Sequence, residues 1–327
     1  MSARDDWQPG ASVEALRLRA RLNRLIREFF QARDVLEVET PLMSIAGNTD
    51  PNIRSFALRY SGPSAGDSRQ RFLRTSPEFP LKRLLAAGIG DCFELGRVFR
   101  DGECGSRHNP EFTLLEWYRL GFDHYRLMEE VAELLLAAFA LVGRRMNVRR
   151  SSYRDVFRDC IGIDPALANE ADLRAALDGH DIDARGLEHD DWLDLLMTHR
   201  IEPALPRDEL LLLHDFPASQ CALARIAGEG VDMHACRFEA YIGGVELANG
   251  YHELSDAREQ RARFERDNRR RRARGAAELP LDGRLLAALQ HGMPDCAGVA
   301  LGVDRLMMVL TGSERIDQVL AFAGPRA

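Results

Sequence analysis

Apolar residues recur at helical spacing in Leu18, Leu22, Leu25, Ile26 and Phe29, behind Ser12, whose hydroxyl can cap a first turn. The pattern predicts an amphipathic helix, then a strand over Val35 to Val38 that leads into Thr40-Pro41. A short apolar strand (Phe72, Leu73) runs into Ser76-Pro77-Glu78, which suits a cap, a first-position proline and a first-turn acid. Leu81, Leu84 and Leu85 give the following helix its buried stripe, and Gly88 ends it. Two strands follow, Cys92 to Arg100 and Glu111 to Tyr118, joined by ten residues rich in charge and glycine. Hairpin loops usually span about two to five residues, so a loop this long is functional or disordered. Alternation puts Glu94, Val98 and Arg100 on one face of the first strand and Phe112, Glu116 and Tyr118 on one face of the second. Acids, an arginine and two aromatics there predict a binding floor rather than a core face.

Further on, His124 to Leu141 reads as a helix with a wide apolar face. Residues 151–210 read as helical segments broken by glycines and prolines, an insertion whose His180, His189 and His199 sit in acidic helical text as solvated surface. Glu239 and Glu246 flank Gly243-Gly244. A two-residue hairpin there would set Tyr241 opposite Glu246 and Glu239 opposite Ala248, with both carboxylates on one face. Ala257 to Arg274 holds nine arginines, a solvated helix face or a docking patch for an acidic partner. Residues 1–14 read as a flexible start, and 61–68 as a flexible surface loop.

Composition narrows the class. With 45% hydrophobic and 29% charged residues, the 327-residue chain can build a sizeable core. A formal charge of −7 offers no global field for nucleic acid. Six scattered cysteines without a CxxC pair argue against zinc and against a disulfide scaffold, and for a cytoplasmic setting. No apolar run is long enough to span a membrane, and no signal-peptide pattern opens the chain, so no membrane partner is expected.

FRDGECGSRHNPEFTLLEWY (Phe99 to Tyr118) resembles the motif 2 hairpin of class II aminoacyl-tRNA synthetases, in their lysine-type branch. GVALGVDRLMMVL (Gly298 to Leu310) resembles motif 3, the segment ending at Pro41 resembles motif 1, and GGVELANGYHELSD (Gly243 to Asp256) is similar to the lysine-type amino-acid pocket. The resemblance implies an α+β catalytic domain over residues 15–327, an antiparallel sheet of six or seven strands flanked by helices. It also implies a homodimer built through the motif 1 region. Lysyl-tRNA synthetases carry an N-terminal OB-fold of five strands that reads the anticodon, and residues 1–14 have no room for one.

The same resemblance implies roles. Activating a carboxylic acid with ATP means in-line attack on the α-phosphate, so cations, metal and positioning carry catalysis. Arg100 matches the arginine that bridges the α-phosphate and the substrate carboxylate; His108 and Arg305 match contacts to the outer phosphates. Phe112 matches the ring stacked on adenine, and Asn109 fits a nucleotide hydrogen bond. Arg100-Asp101-Gly102-Glu103 departs from the family loop start: Gly102 occupies the adenine-reading glutamate's position, and Glu103 is the substitute. Leu247 and Gly302 fall at ATP-contacting positions, and Glu239 with Glu246 would hold Mg²⁺. Ser76, Pro77, Glu78, Glu116, Tyr118, Asn249, Tyr251 and Glu253 would form a pocket for a doubly charged amino acid, since several carboxylates match two ammonium groups.

Lysine-type synthetases usually have glycine where Ala300 sits. Short paralogues that modify elongation factor P share this alanine. They resemble the chain more closely, which implies (R)-β-lysine as substrate, elongation factor P as partner and no role for tRNA.

Overall fold

The computed structural model describes residues 7–63 and 68–327. Of the start expected to be flexible over 1–14, residues 1–6 lie outside the described residues, as do 64–67 of the loop expected over 61–68. The chain forms two compact units. The first runs to Gly121 and resumes over Leu254–Cys296 and Ala300–Ala327; the second comprises Phe122–Glu253 and Ala297–Val299.

The first unit opens with α1 (Val13–Gln31), capped by Ser12 Oγ accepting from Ala15 N at 3.1 Å. Its buried stripe is Leu22, Ile26 and Phe30, one residue past the expected Phe29. Phe30 stacks on Phe93 at 4.4 Å and meets the edge of Trp117 at 5.3 Å, which fixes the rotation of the helix. The strand after it, β1 (Leu36–Glu37), is shorter than predicted. β2 (Met43–Ser44), β3 (Ala57–Arg59) and β4 (Gln70–Leu73) form a small sheet in the order β2-β4-β3. α2 (Glu78–Ala86) starts one residue late, and Ser76 Oγ accepts from Glu78 N at 2.9 Å in place of a regular cap.

β5 (Cys92–Phe99) and β6 (Glu111–Leu120) pair antiparallel, with Glu94 opposite Glu116 and Val98 opposite Phe112. The expected binding floor is only partly open. Val98 is fully buried, and Glu94 forms a buried ion pair with Arg74 at 2.6 Å, each side chain 5% exposed. Thr40 Oγ1 donates to Glu94 at 2.7 Å, and Arg74 donates to the carbonyls of Arg97 and Thr40 at 3.0 and 3.2 Å. A buried pair needs such added bonds, because removing one partner costs about 3–5 kcal/mol. Gly96 leaves the space: a Cβ there would stand 2.6 Å from Arg74 Nη2.

The second unit begins with α3 (His124–Ala140), capped by Asp123, which accepts from Arg126 N at 2.8 Å. β7 (Asn147–Ser152) precedes a helical stretch of α4 (Tyr153–Ile161), α5 (Glu170–Ala175) and α6 (His189–Leu196). Tyr153, Phe157, Leu173, Trp192 and Leu196 from these helices share one core with Leu211, Leu213 and Phe216. Those last three belong to β8 (Glu209–Pro217), which is followed by β9 (Ile226–Ala227), β10 (His234–Ile242) and β11 (Val245–His252). β10 pairs antiparallel with β8, β9 and β11.

Gly243 and Gly244 make the two-residue turn between β10 and β11, with φ of 54° and 70°, the left-handed pair such a turn demands. The register differs from the regular expectation. Tyr241 does oppose Glu246, but Glu239 opposes Asn249 rather than Ala248, because a bulge falls between Ala240 and Tyr241. The extra residue restores the alternation, so Glu239, Tyr241, Glu246, Asn249 and Tyr251 still share one face.

Back in the first unit, α7 (Ala257–Ala273) carries the arginine run. It is not uniformly solvated. Arg263 and Arg271 are buried, Arg271 Nε donates to the Ala277 carbonyl at 2.9 Å, and Arg274 Nη1 donates to Asn52 Oδ1 at 2.8 Å. α8 (Gly283–Gly292), β12 (Cys296–Gly302) and α9 (Val303–Thr311) complete the elements. The class is α+β, as expected, but the strand pairing is mixed. β1 runs parallel to β5 and β7 parallel to β8, since each pair is joined by a long crossover instead of a hairpin.

Candidate functional site

In the first unit, Glu116 is the hub of the predicted amino-acid pocket. Buried on β6, it accepts from Ser76 Oγ at 2.6 Å and from Tyr118 Oη at 2.9 Å, one bond to each carboxylate oxygen. Three expected pocket residues are thus locked together, and Pro77 stands buried between Ser76 and Glu78. Glu78 accepts from Lys82, one helical turn on, at 2.6 Å, and that ammonium is 1% exposed. The Glu78 carboxylate thus already balances one buried cation, and it edges a cleft shared with Arg74, Phe79, Arg83 and Arg284.

Arg100 leaves β5 where its backbone N donates to the Pro110 carbonyl at 2.9 Å. Its guanidinium lies 5.0 Å from the Phe112 ring centre and 3.3 Å from Glu103 Oε1, while its buried Nε has no hydrogen-bond partner. A buried guanidinium N–H without a partner is a donor set for an oxyanion. Asp101 N donates to the Arg54 carbonyl at 2.9 Å. Gly102 has φ of 81°, which disfavours a glutamate there and accounts for the departure at this position. The expected substitute, Glu103, is engaged by Arg100.

The loop to β6 is long but fastened. Asn109 is buried; its Nδ2 donates to the Glu111 carbonyl at 2.6 Å and its Oδ1 accepts from Gly324 N at 2.9 Å. The Ser106 carbonyl accepts from Ile316 N at 2.7 Å. Across this loop, His108 Nε2 accepts from Arg305 Nη2 at 2.8 Å, so the two expected outer-phosphate contacts stand side by side. Arg305 lies in the first turn of α9, where free backbone N–H groups favour an anion. Ala300 and Gly302 sit on the half-buried side of β12 that leads into that turn.

Two residues that the sequence reading passed over hold these parts. Asp304, 2% exposed, accepts from Thr113 N at 2.7 Å and from the Arg19 guanidinium. It thereby fixes α9, and with it Arg305, against β6 and α1. Arg74 does the same between β4 and β5 through Glu94.

In the second unit, the shared face of β10 and β11 is a hydrogen-bonded row. Asn249 Oδ1 accepts from Arg237 Nε at 3.2 Å, and Asn249 Nδ2 donates to Tyr251 Oη at 2.9 Å. Arg237 and Tyr241 each donate to Glu239, one to each oxygen. Burial pushes the Glu239 carboxyl above its ordinary range; Arg237 opposes that shift and the Glu246 charge adds to it. Burial and Glu239 push the Tyr241 phenol well up. Arg237 was not singled out from sequence, although its spacing of two from Glu239 places it on the same face. The Leu247 side chain is buried, which leaves only its backbone for contact with a nucleotide. Glu253 is 1% exposed, and its carbonyl accepts from Arg225 Nε at 2.8 Å.

The donor set fits a magnesium ion: two hard carboxylates on one face, each unfavourable to the other's charge. Glu239 is already charge-compensated by Arg237. Among the described residues, no helix is long and apolar enough to cross a membrane.

Comparison with known proteins identifies the family. Residues 6–326 match the family described as tRNA synthetases class II (D, K and N). The chain is 48% identical over 330 aligned positions to the elongation factor P–(R)-β-lysine ligase of Pectobacterium carotovorum, with all of both chains covered. It is equally similar, with the same coverage, to the protein of that name from Salmonella arizonae. The one from Vibrio cholerae is 47% identical, over 98% of this chain and 99% of its own.

Proposed function

The chain belongs to the class II tRNA synthetase family, within it to the elongation factor P–(R)-β-lysine ligases, and on that premise we propose how it works. It is an ATP-dependent ligase that adenylates (R)-β-lysine and passes the acyl group to a lysine side chain of elongation factor P. The full-length match at nearly half identity to ligases of that name carries this reading.

In the first step a carboxylate oxygen of the amino acid attacks the α-phosphorus of ATP, pyrophosphate leaves, and an acyl-adenylate forms. Arg100 would bind the α-phosphate through the guanidinium edge that carries the unpartnered Nε, with Phe112 under the adenine. Arg305 and His108 would take the outer phosphates, Arg305 trading its histidine partner for an anion. Glu239 and Glu246 would hold Mg²⁺, which when bound neutralises phosphate charge. Glu78, Tyr118 and Glu253 are proposed to receive the ammonium groups, with Glu116 holding Tyr118 and Ser76 in place. In the second step the ε-amine of the acceptor lysine attacks the acyl carbon. AMP leaves, the nitrogen loses a proton, and an amide results. No side-chain nucleophile is needed.

The proposal includes a cytoplasmic setting, in which six free cysteines remain reduced. It also includes a homodimer. Leu36, in the segment that resembles motif 1, and Leu42, Met43 and Ile45 just after it are each at least 42% exposed, apolar surface suited to a second copy. Light scattering should return twice the 36.8 kDa chain mass.

The deciding experiment offers the enzyme ATP with (R)-β-lysine or α-lysine, and either elongation factor P or tRNA as acceptor. Pyrophosphate exchange should be faster with the β-isomer, the factor should gain the mass of one lysyl group, and tRNA should stay uncharged. Charging of tRNA with no mass gain on the factor would overturn the reading.

A further inference from the structure

On the reverse of the β10–β11 hairpin, three side chains of soft-metal chemistry converge within the second unit. The ladder ends where Arg237 pairs with Tyr251; one residue beyond, Arg225 lies between the strands, its carbonyl accepting from Cys236 N at 2.8 Å and its N–H donating to the His252 carbonyl at 2.9 Å. Alternation points Cys236 and His252 away from the face that carries Arg237, Glu239 and Tyr251. His124, the first residue of α3, joins them: the ligand atoms of His124, Cys236 and His252 all lie within 4.8 Å of one another.

The imidazole of His124 provides an independent pointer. The residue is 3% exposed and its Nε2 lies 3.1 Å from Asp215 Oδ1. Its Nδ1 is buried and has no hydrogen-bond partner. Asp215 is itself held hard, accepting from Tyr125 Oη at 2.8 Å and from His214 Nδ1 at 2.9 Å, with His234 Nε2 at 3.6 Å. It sits at φ of 58°, unusual for a residue other than glycine. A carboxylate that fixes one ring nitrogen of a histidine and leaves the other for an ion is the usual outer support of a metal ligand.

We propose that His124 Nδ1, Cys236 and His252 form a zinc site on the back of the hairpin, with a fourth position for a solvent ligand. Two imidazoles and a sulfur select a borderline-soft ion, whereas magnesium and calcium want oxygen. Three protein ligands with one open position are a familiar zinc arrangement. On binding, the thiol proton goes to solvent as the sulfur–zinc bond forms. The ion would clamp the start of α3 to the ends of β10 and β11, behind the row that contains Glu239. This site does not depend on the proposed ligase activity.

The test uses the whole purified chain, stripped with a chelator and titrated with Co²⁺ alone, then Zn²⁺. One equivalent of cobalt should give a thiolate-to-cobalt charge-transfer band with the visible bands of a four-coordinate ion, and zinc should displace both. Cys236→Ser should abolish the charge-transfer band. Asp215→Asn should keep it and weaken cobalt affinity about 10- to 100-fold. No charge-transfer band on the native chain, or one that survives Cys236→Ser, would overturn the site. If Cys236→Ser does not fold, X-ray absorption of the zinc-loaded native chain decides. One sulfur and two imidazoles per zinc are expected, and a shell of only nitrogen and oxygen refutes the proposal.

Discussion

At the scale of single residues, Arg100 and Arg305 both direct guanidinium groups at partners that an anion can replace or supplement. Neither braces the core. Arg100→Ala and Arg305→Ala should each cut ATP–pyrophosphate exchange about a hundredfold with the circular dichroism spectrum unchanged, the usual loss for one charge-stabilising donor. Near-normal exchange would remove that arginine from the chemistry. Ala300→Gly should move preference from β-lysine towards α-lysine by some ten- to two-hundredfold, as expected for a difference of about one methyl group. Competition between the isomers in the exchange assay measures it, and an unchanged ratio would free Ala300 of a selective role. The sequence singled these residues out through the motifs they sit in, and their proposed roles rest on that resemblance. Asp304 was not singled out. It looks like an ordinary first-turn acid until folding brings Arg19 and the Thr113 N–H to it. Cys236 was not singled out either, since His124 and His252 are brought to it only by folding.

At the scale of elements, the bulge in β10–β11 keeps Glu239 and Glu246 on one face. Glu239 has both oxygens taken by Arg237 and Tyr241. Glu239→Gln and Glu246→Gln should each raise the Mg²⁺ needed for half-maximal exchange several-fold. Glu239→Gln should also lower the melting temperature, because it leaves a buried arginine uncompensated. An unchanged magnesium titration in both variants would make the two carboxylates structural. Periodicity revealed the turn and the shared face but not the bulge, because one inserted residue leaves the pattern of apolar positions intact.

α7 carries a second testable acid. Burial, with Asp50 nearby, pushes the Asp267 carboxyl up from 3.8 to about 6. The folded chain therefore holds that proton more tightly than the unfolded one. The resulting stabilisation is complete below about pH 4 and is lost as pH rises through 6. Asp267→Asn should then stabilise the chain near pH 7 by roughly 1 kcal/mol, discounted for its partial exposure, with no gain below pH 4. Paired thermal melts at the two pH values measure this, and a gain that persists in acid would contradict it.

At the scale of the whole molecule, one unit comprises Phe122–Glu253 with Ala297–Val299 and the other is drawn from both ends of the chain. Hydrophobic patterning reports which face of an element is buried, not which distant element buries it, so such long-range pairing is not read from the sequence. The bond from Arg19 to Asp304 spans 285 positions. Part of what holds α1 in the first unit is thus synthesised late. Phe30 meets Phe93 and Trp117 within the first 121 residues, but Arg19 has to wait for Asp304, by which point most of the second unit can close. A chain truncated after Ala273 should yield a protease-resistant core within residues 122–253 and a digested N-terminal part; equal resistance of both would refute that order. The Arg19–Asp304 bond thus ties completion of the first unit to the arrival of α9, and a chain that stops short of α9 leaves the Arg19 guanidinium without that carboxylate.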